Sequence, residues 1–135
     1  MSDGLNLVKV GKNIIGGDNP TYFIADIAAN WDNSLERAKD LIYLAAEAGA
    51  NAAKFQNFTA STIVSGASFE KMEEKLTHQA SWDKSVYEVY DNASLPIEWT
   101  KELRDTCDDA GIDYFTSPYS IEVLDELHQY VAACK

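Results

Sequence analysis

The sequence predicts an α/β fold in which a parallel sheet is covered by helices. The main observation is an internal repeat, because residues 48–55 (Ala-Gly-Ala-Asn-Ala-Ala-Lys-Phe) resemble residues 110–117 (Ala-Gly-Ile-Asp-Tyr-Phe-Thr-Ser). In each copy a helix stops at a glycine, an Asn or Asp makes the turn, and a short apolar strand follows. Repeated helix–strand units with short loops form either an open doubly wound sheet or a (β/α)8 barrel. No Gly-x-Gly-x-x-Gly motif follows the first strand, which argues against a dinucleotide-binding domain.

The composition indicates one globular domain and argues against several classes of function. The chain has 135 residues, of which 46% are hydrophobic and 24% are charged. Its net charge of −11 argues against nucleic-acid binding but permits a small anionic substrate held by a few lysines. No apolar run approaches the ~20 residues that span a bilayer, and no signal peptide is recognised at the N-terminus. Cys107 and Cys134 have no metal-ligand spacing and are interpreted as reduced thiols of a cytoplasmic protein.

The first half of the chain predicts a hairpin, a strand, a helix and a second strand. Residues 5–17 have the short apolar arms and central glycine of a small β-hairpin. An apolar run at 22–28 predicts the first buried strand. Apolar residues at helical spacing predict a helix from 35 to 48, which Gly49 ends, and residues 52–56 form the second strand.

The second half predicts a long connection followed by two further helix–strand units. Residues 58–93 lack a clear period, which is typical of a functional connection that carries short elements of its own. Short helices are predicted there at residues 69–76 and 85–90. Beyond the connection we expect a helix at 96–110, a strand at 113–117, a helix at 121–129 and a fourth strand at 131–135.

Polar side chains gather where the predicted strands end. Lys54 and Gln56 are two positions apart and therefore face the same side of the sheet, where an ammonium is rarely found unless it is paired or functional. The carboxyl ends of parallel strands meet at one rim, which is where the active sites of α/β proteins lie. The polar residues expected at that rim are Asp26, Asn30, Lys54, Gln56, Thr116, Ser117 and Lys135.

These residue types suit an anionic ligand that also carries hydroxyl groups. Lysines attract a phosphate or a carboxylate, and side-chain hydroxyls provide directed hydrogen bonds. Asp26 could orient a sugar hydroxyl or move a proton.

Each of these residues also has a simpler structural explanation. Lys54 could lie at the edge of the core with its charged end in water, or it could pair with Asp26. Thr116 and Ser117 could form the turn before a proline, and Lys135 could fray. Surface or packing roles are expected for the remaining conspicuous side chains, which are His78, His128, Trp31, Trp82 and Trp99.

Four segments together resemble the sialic acid synthase (N-acetylneuraminate synthase) family. Residues 23–31 (Phe-Ile-Ala-Asp-Ile-Ala-Ala-Asn-Trp) resemble the family's Ile-Ala-Glu-Ile-Gly-x-Asn-His. Residues 46–56 are similar to its Ala-Glu-Ala-Gly-Ala helix end and Ala-Val-Lys-Phe-Gln strand. Residues 115–119 (Phe-Thr-Ser-Pro-Tyr) resemble its Ser-Thr-Pro-Phe, and residues 130–135 resemble the run that leads to its Lys-Ile-Gly-Ser-Gly motif.

The resemblance implies a fold and a reaction. Members of the family are (β/α)8 barrels with an additional antifreeze-like domain, and they condense phosphoenolpyruvate with an N-acyl sugar, N-acetylmannosamine-like or a related deoxysugar, to give a nonulosonic acid and phosphate. A complete barrel takes roughly 250 residues. We therefore expect residues 1–135 to be the N-terminal half of the barrel, preceded by the hairpin, with the C-terminal half and any antifreeze-like domain absent from this chain.

The resemblance also assigns roles to the residues of the rim. Asp26 and Lys54 would be the catalytic residues, since Asp26 stands where the family has the Glu that contacts the acceptor sugar. Lys54, Ser117 and Lys135 would hold the phosphate and carboxylate of phosphoenolpyruvate. The remaining substrate-binding candidates are Asn30, Gln56, Gln79 and Thr116. Two positions depart from the family pattern, namely Asp26 in place of Glu and Trp31 in place of His.

The family further implies a metal ion and partners. A divalent ion, manganese or magnesium, would be bound by histidines of later strands, outside this chain, and would activate the acceptor aldehyde. The full-length family suggests a homodimer, and a half-barrel suggests association with a complementing C-terminal half, because its sheet edges are open. Two alternatives remain open, namely a non-catalytic half-barrel that binds a partner chain and an aldolase that forms a Schiff base through Lys54.

Overall fold

The computed structural model describes residues 7–64 and 83–135, and the statements below concern these residues. The predicted helix at 69–76 lies outside them. The described elements are β1 (Val8–Val10), β2 (Asn13–Ile15), β3 (Ile24–Ala28), α1 (Leu35–Glu47), β4 (Ala52–Asn57), α2 (Ala60–Ile63), α3 (Val86–Asn92), a 3-10 turn (Ile97–Trp99), α4 (Thr100–Ala110), β5 (Asp113–Pro118), α5 (Ile121–Leu127) and β6 (Ala133–Cys134).

A parallel sheet with the strand order β3-β4-β5-β6 forms the centre of the molecule. Each strand pairs with the next one along the chain, and the helices α1, α4 and α5 lie in the connections between consecutive strands. A doubly wound sheet would reverse its strand order at a switch point. The described strands show no reversal, and their order is that of a singly wound barrel wall.

The turns between helix and strand follow the internal repeat. Gly49 (φ 89°), two residues after α1, and Gly111 (φ 77°), directly after α4, both have left-handed backbones, where a side chain would be strained. Asn51 then fixes the start of β4, because its side-chain oxygen accepts a hydrogen bond from the Phe23 N–H at 2.8 Å. Its backbone carbonyl accepts from the Asp113 N–H, also at 2.8 Å, and so joins the two copies of the repeat.

The main core lies between the sheet and the helices. Ala53 and Phe55 of β4 and Tyr114 of β5 face this layer, and the rings of Phe55 and Tyr114 stack with their centroids 5.7 Å apart. Trp31 is only 1% exposed and packs edge-on against Trp99 at 5.4 Å. Trp31 is therefore a packing residue of the helix layer, in agreement with the packing role predicted from the sequence.

The hairpin of β1 and β2 covers the amino end of the opposite face of the sheet. Val10 packs there against Ala52 and Phe115. The Asp113 carboxylate anchors the hairpin, because it accepts hydrogen bonds from the Tyr22 hydroxyl at 2.6 Å and from the Asn13 side chain at 3.0 Å. Burial, together with this carboxylate, raises the pKa of Tyr22. The hairpin closes one end of this face, hereafter the inner face.

Candidate functional site

The carboxyl end of the inner face brings together side chains from three neighbouring strands. Asp26 of β3 lies beside Lys54 of β4 in the register of the sheet, and Gln56 lies beside Ser117 of β5. Alternate residues of a strand share a face, so Lys54 and Gln56 both point to the side away from the helices. The polar residues that alternate with apolar ones in the sequence thus form one cluster on this face.

Lys54 is the most unusual member of this cluster. Its side chain is 5% exposed, and its ammonium nitrogen forms an ion pair with Asp26 Oδ2 at 2.9 Å. The pairing that the sequence left open as the structural explanation is therefore present. The Asp26 side chain is 58% exposed, which leaves its other oxygen accessible to a ligand or to water. Among the described residues Asp26 is the only carboxylate paired with this ammonium, which carries three N–H donors. Within the described residues, the buried Lys54 ammonium therefore keeps N–H donors that can bind a ligand at the rim.

Gln56 and Ser117 extend the cluster toward the carboxyl ends of their strands. Ser117 is buried. It lies on the same face as Lys54, in the neighbouring strand and closer to the carboxyl end. The Gln56 side-chain nitrogen donates a hydrogen bond to the Tyr119 hydroxyl at 3.2 Å. A cation, a hydroxyl and an amide are thus adjacent, and such groups bind oxygen-rich anions.

Thr116 is not brought into this cluster. Its neighbours in the chain, Phe115 and Ser117, face the inner side, so the pleat directs Thr116 toward the helices. It is fully buried, and its hydroxyl donates to the side-chain oxygen of Asn57. Thr116 therefore joins the ends of β4 and β5 on the face opposite to Lys54.

Asn30, Lys135 and Gln79 have different positions relative to the cluster. Asn30 is exposed after β3, and its side-chain nitrogen donates to the Ile27 carbonyl at 2.9 Å, which shapes the turn there. Lys135 is exposed, and its backbone N–H donates to the Thr116 carbonyl at 3.0 Å, so the β5–β6 ladder continues to this residue. Strand alternation places Lys135 on the same face as Ala133, which packs against the inner-face residue Phe115. Gln79 lies outside the described residues.

Aromatic residues next to the cluster were missed by the sequence reasoning. Phe58 follows β4 directly and is buried, with Tyr90 and Tyr119 packed edge-on against it at 5.9 and 5.7 Å. The signal in the sequence was an aromatic residue directly after each of two polar strand ends.

The described residues show no group of three or more His, Cys, Asp or Glu side chains that could hold a metal ion. His128 is exposed, as predicted, and its Nδ1 lies 2.6 Å from the Asp125 carbonyl oxygen. Cys107 and Cys134 are free thiols, and burial raises the pKa of Cys107 to about 12, so this thiol is inert at neutral pH. No helix in the described segments is long and apolar enough to cross a membrane.

Proteins of known activity resemble the chain over most of its length. It is 32% identical over 114 residues to a pseudaminic acid synthase of Campylobacter jejuni. This match covers 84% of the chain and 32% of the relative. It is 29% identical over 115 residues to the human N-acetylneuraminate-9-phosphate synthase, covering 85% of the chain and 31% of that protein. The chain thus spans about a third of the length of these relatives.

Solved structures confirm the fold class. The crystal structure of a Leptospira borgpetersenii N-acetylneuraminic acid synthetase, in complex with citrate, matches with a TM-score of 0.72 and 25% identity, over 93% of this chain and 39% of that one. With the singly wound strand order, this match supports an N-terminal half-barrel preceded by a small hairpin. The NeuB family model matches residues 41–135, which include the Lys54 strand and the Ser117 strand. The chain belongs to the NeuB family.

Proposed function

We propose that the chain supplies the N-terminal half of a barrel that condenses phosphoenolpyruvate with an N-acyl sugar, N-acetylmannosamine-like or a related deoxysugar. In this reaction C3 of phosphoenolpyruvate forms a bond to the aldehyde carbon of the open-chain sugar, whose oxygen takes up a proton. Water adds at C2, and cleavage of the C–O bond releases phosphate. The product is a nonulosonic acid. The names of the Campylobacter and human relatives support this reaction class.

The observation that carries the proposal is the buried Lys54 ammonium at the open rim. Phosphoenolpyruvate brings a phosphate and a carboxylate, and a cation with low exposure to water binds such groups more strongly than an exposed one. Ser117 adds a hydroxyl donor further along the same face, beside Gln56, and Lys135 adds a second cation on this face. In this proposal the three residues bind the two anionic groups and hold C3 toward the acceptor.

Asp26 acts at the acceptor in this proposal. Its exposed carboxylate can accept a hydrogen bond from a sugar hydroxyl while its other oxygen stays paired with Lys54. Asp is one methylene shorter than the Glu of the family pattern, and the ion pair holds it close to the strand. We therefore propose that the acceptor sits deeper in this barrel than a Glu would place it. Asn30 and Gln56 line the same rim as further contacts.

The proposal includes a metal ion, but no residue of this chain is expected to bind it. A divalent ion would polarise the acceptor aldehyde when bound, and its ligands are expected outside this chain. A cytoplasmic location, expected from the free thiols, and a homodimer of the complete protein are part of the same proposal.

Phosphate release tests the reaction. Phosphoenolpyruvate and N-acetylmannosamine, or an N-acetylated 6-deoxyhexose, are mixed with the chain, with manganese and with the C-terminal barrel half of a relative. We expect phosphate release only when both halves are present. We expect Lys54→Met to abolish it and Lys39→Met to leave it unchanged, since Lys39 pairs with Glu36 and Glu102 on the helix surface. Absence of turnover with every complementing half would leave a non-catalytic half-barrel as the better interpretation.

The Schiff-base aldolase is less well supported by the geometry. A Schiff-base lysine needs its nitrogen free to attack a carbonyl carbon, whereas the Lys54 nitrogen is engaged in an ion pair with Asp26 at 2.9 Å. Borohydride reduction in the presence of pyruvate tests it, and we expect no adduct on Lys54. An adduct detected by mass spectrometry at this residue would favour the aldolase over the condensation.

A further inference from the structure

Tyr119 is held in a defined position beside the candidate site. Its backbone N–H donates to the Asn57 carbonyl at 3.0 Å, which fixes it to the end of β4. Its ring packs edge-on against the buried Phe58, with an interplanar angle of 80°. Backbone and ring are thus both supported, although Tyr119 is 46% exposed at the rim.

The hydroxyl of Tyr119 restricts the Gln56 side chain. A glutamine amide has two N–H donors and one carbonyl acceptor. The Gln56 nitrogen donates to the Tyr119 hydroxyl at 3.2 Å, which limits rotation about the last torsion of the side chain. No described residue bonds to the carbonyl oxygen or to the second N–H, which leaves both groups for a ligand. Because Gln56 lies beside Ser117 and two residues after Lys54, it presents these groups to the same rim.

We infer that Tyr119 is a positioning residue that sets specificity for the acceptor sugar by orienting the Gln56 amide. This inference rests on the condensation proposed above. An N-acyl sugar carries hydroxyl and amide donors and an acyl carbonyl acceptor, which the free groups of a glutamine amide complement. Phosphoenolpyruvate offers charged oxygens that the lysines bind, so its binding is independent of Tyr119.

Tyr119→Phe tests the inference, because it removes the hydroxyl and keeps the ring that packs on Phe58. In the barrel reconstituted from both halves, we expect the KM for the sugar to rise about three- to tenfold, the effect of one hydrogen bond. The KM for phosphoenolpyruvate stays within about twofold. Tyr43→Phe on the exposed surface of α1 is the matched control and changes neither value. If Tyr119 acts through Gln56, then Tyr119→Phe has no further effect in a Gln56→Ala background.

Direct binding separates this inference from the proposed reaction. Calorimetry with N-acetylmannosamine and an N-acetylated 6-deoxyhexose measures sugar affinity without turnover. Weaker binding by Tyr119→Phe in a barrel that turns nothing over would support the role of Tyr119 and refute the condensation. Sugar affinity that is absent or equal in both proteins would overturn the inference. It would also be overturned if both KM values rose equally, or if the effects of Tyr119→Phe and Gln56→Ala were additive.

Discussion

At the scale of single residues, the two partners of the Lys54–Asp26 ion pair differ in their exposure to water. Lys54 is buried and Asp26 is largely exposed, so the two partners lose different amounts when the other is removed. A buried charge without its counterion bears the full cost of desolvation, whereas an exposed carboxylate is solvated by water. Folding stability should therefore respond more strongly to the loss of Asp26, and anion binding more strongly to the loss of Lys54.

We expect Asp26→Asn to destabilise the fold more than Lys54→Met. The first leaves an unpaired ammonium in the sheet and costs about 1–3 kcal/mol. The second leaves a solvated carboxylate and a buried apolar side chain of similar length, and changes stability by less than about 1 kcal/mol. Urea denaturation of both variants measures the difference. Equal losses of stability would show that Lys54 reaches water in the folded protein and would remove the main support for an anion site.

The sequence predicted this pair as a possibility and could not decide it. Lys54 and Asp26 stood at the ends of two apolar runs, but only the register of β3 against β4 places them side by side. Thr116 could not be placed from the sequence either. Adjacent residues of a strand face opposite sides of the sheet, and no local signal shows which of Thr116 and Ser117 faces inward. The role of Tyr119 could not be predicted, because its contacts, Gln56 and Phe58, lie at the carboxyl end of β4, far from Tyr119 in the sequence.

At the scale of elements, the hairpin depends on a close contact with β5. Gly11 has a left-handed backbone (φ 54°), and a Cβ placed on it would lie 2.4 Å from Asp113 Oδ1. That carboxylate is held in place by Tyr22 and Asn13. Gly111 is also left-handed, but a Cβ there would meet nothing within 4 Å. A comparison of substitutions at the two glycines can therefore distinguish the cost of backbone strain from the cost of steric overlap.

Gly11→Ala should cost more stability than Gly111→Ala. Both substitutions place a side chain on a left-handed backbone, at about 1–2 kcal/mol. Only Gly11→Ala also displaces the Asp113 carboxylate, and we expect at least about 1 kcal/mol more for the two hydrogen bonds disturbed. Thermal unfolding measures both values. Adding Asp113→Ala should remove most of the difference between them. A difference that persists in that background would mean that the hairpin does not rest on Asp113.

The elements themselves were largely predictable, and their ends less so. The glycine stops and the apolar spacing predicted the long helices and the central strands, because each signal lies within one element. The first strand begins at Ile24 rather than at residue 22, and the fourth comprises only Ala133–Cys134. Tyr22 is apolar enough to continue the strand, but its hydroxyl is bound by Asp113. The short helix α2 had no periodic signal, since four residues make a single turn.

At the scale of the whole molecule, the sheet has two edges that no described strand covers. Exposed apolar side chains lie at the start of the β3 edge, where Phe23, directly before the strand, is 61% exposed and Ile24 is 45% exposed. Open edges with apolar residues favour association, whether with a second copy or with the remaining part of a barrel. The match to about a third of each relative agrees with a barrel completed by further chain.

We expect the isolated chain to self-associate through the β3 edge and the complementing C-terminal half to suppress this. Phe23→Lys places a charge at the edge and should shift the protein toward monomer, because a strand edge that carries lysine pairs poorly with another. Tyr43→Lys on α1, also at an exposed aromatic residue, is the control and should leave the distribution unchanged. Light scattering after size-exclusion chromatography measures both. Equal effects of the two substitutions would indicate general solubility rather than pairing at this edge. A monomer at all concentrations would show that the open edges do not drive association, and the barrel halves would then have to be joined by other contacts.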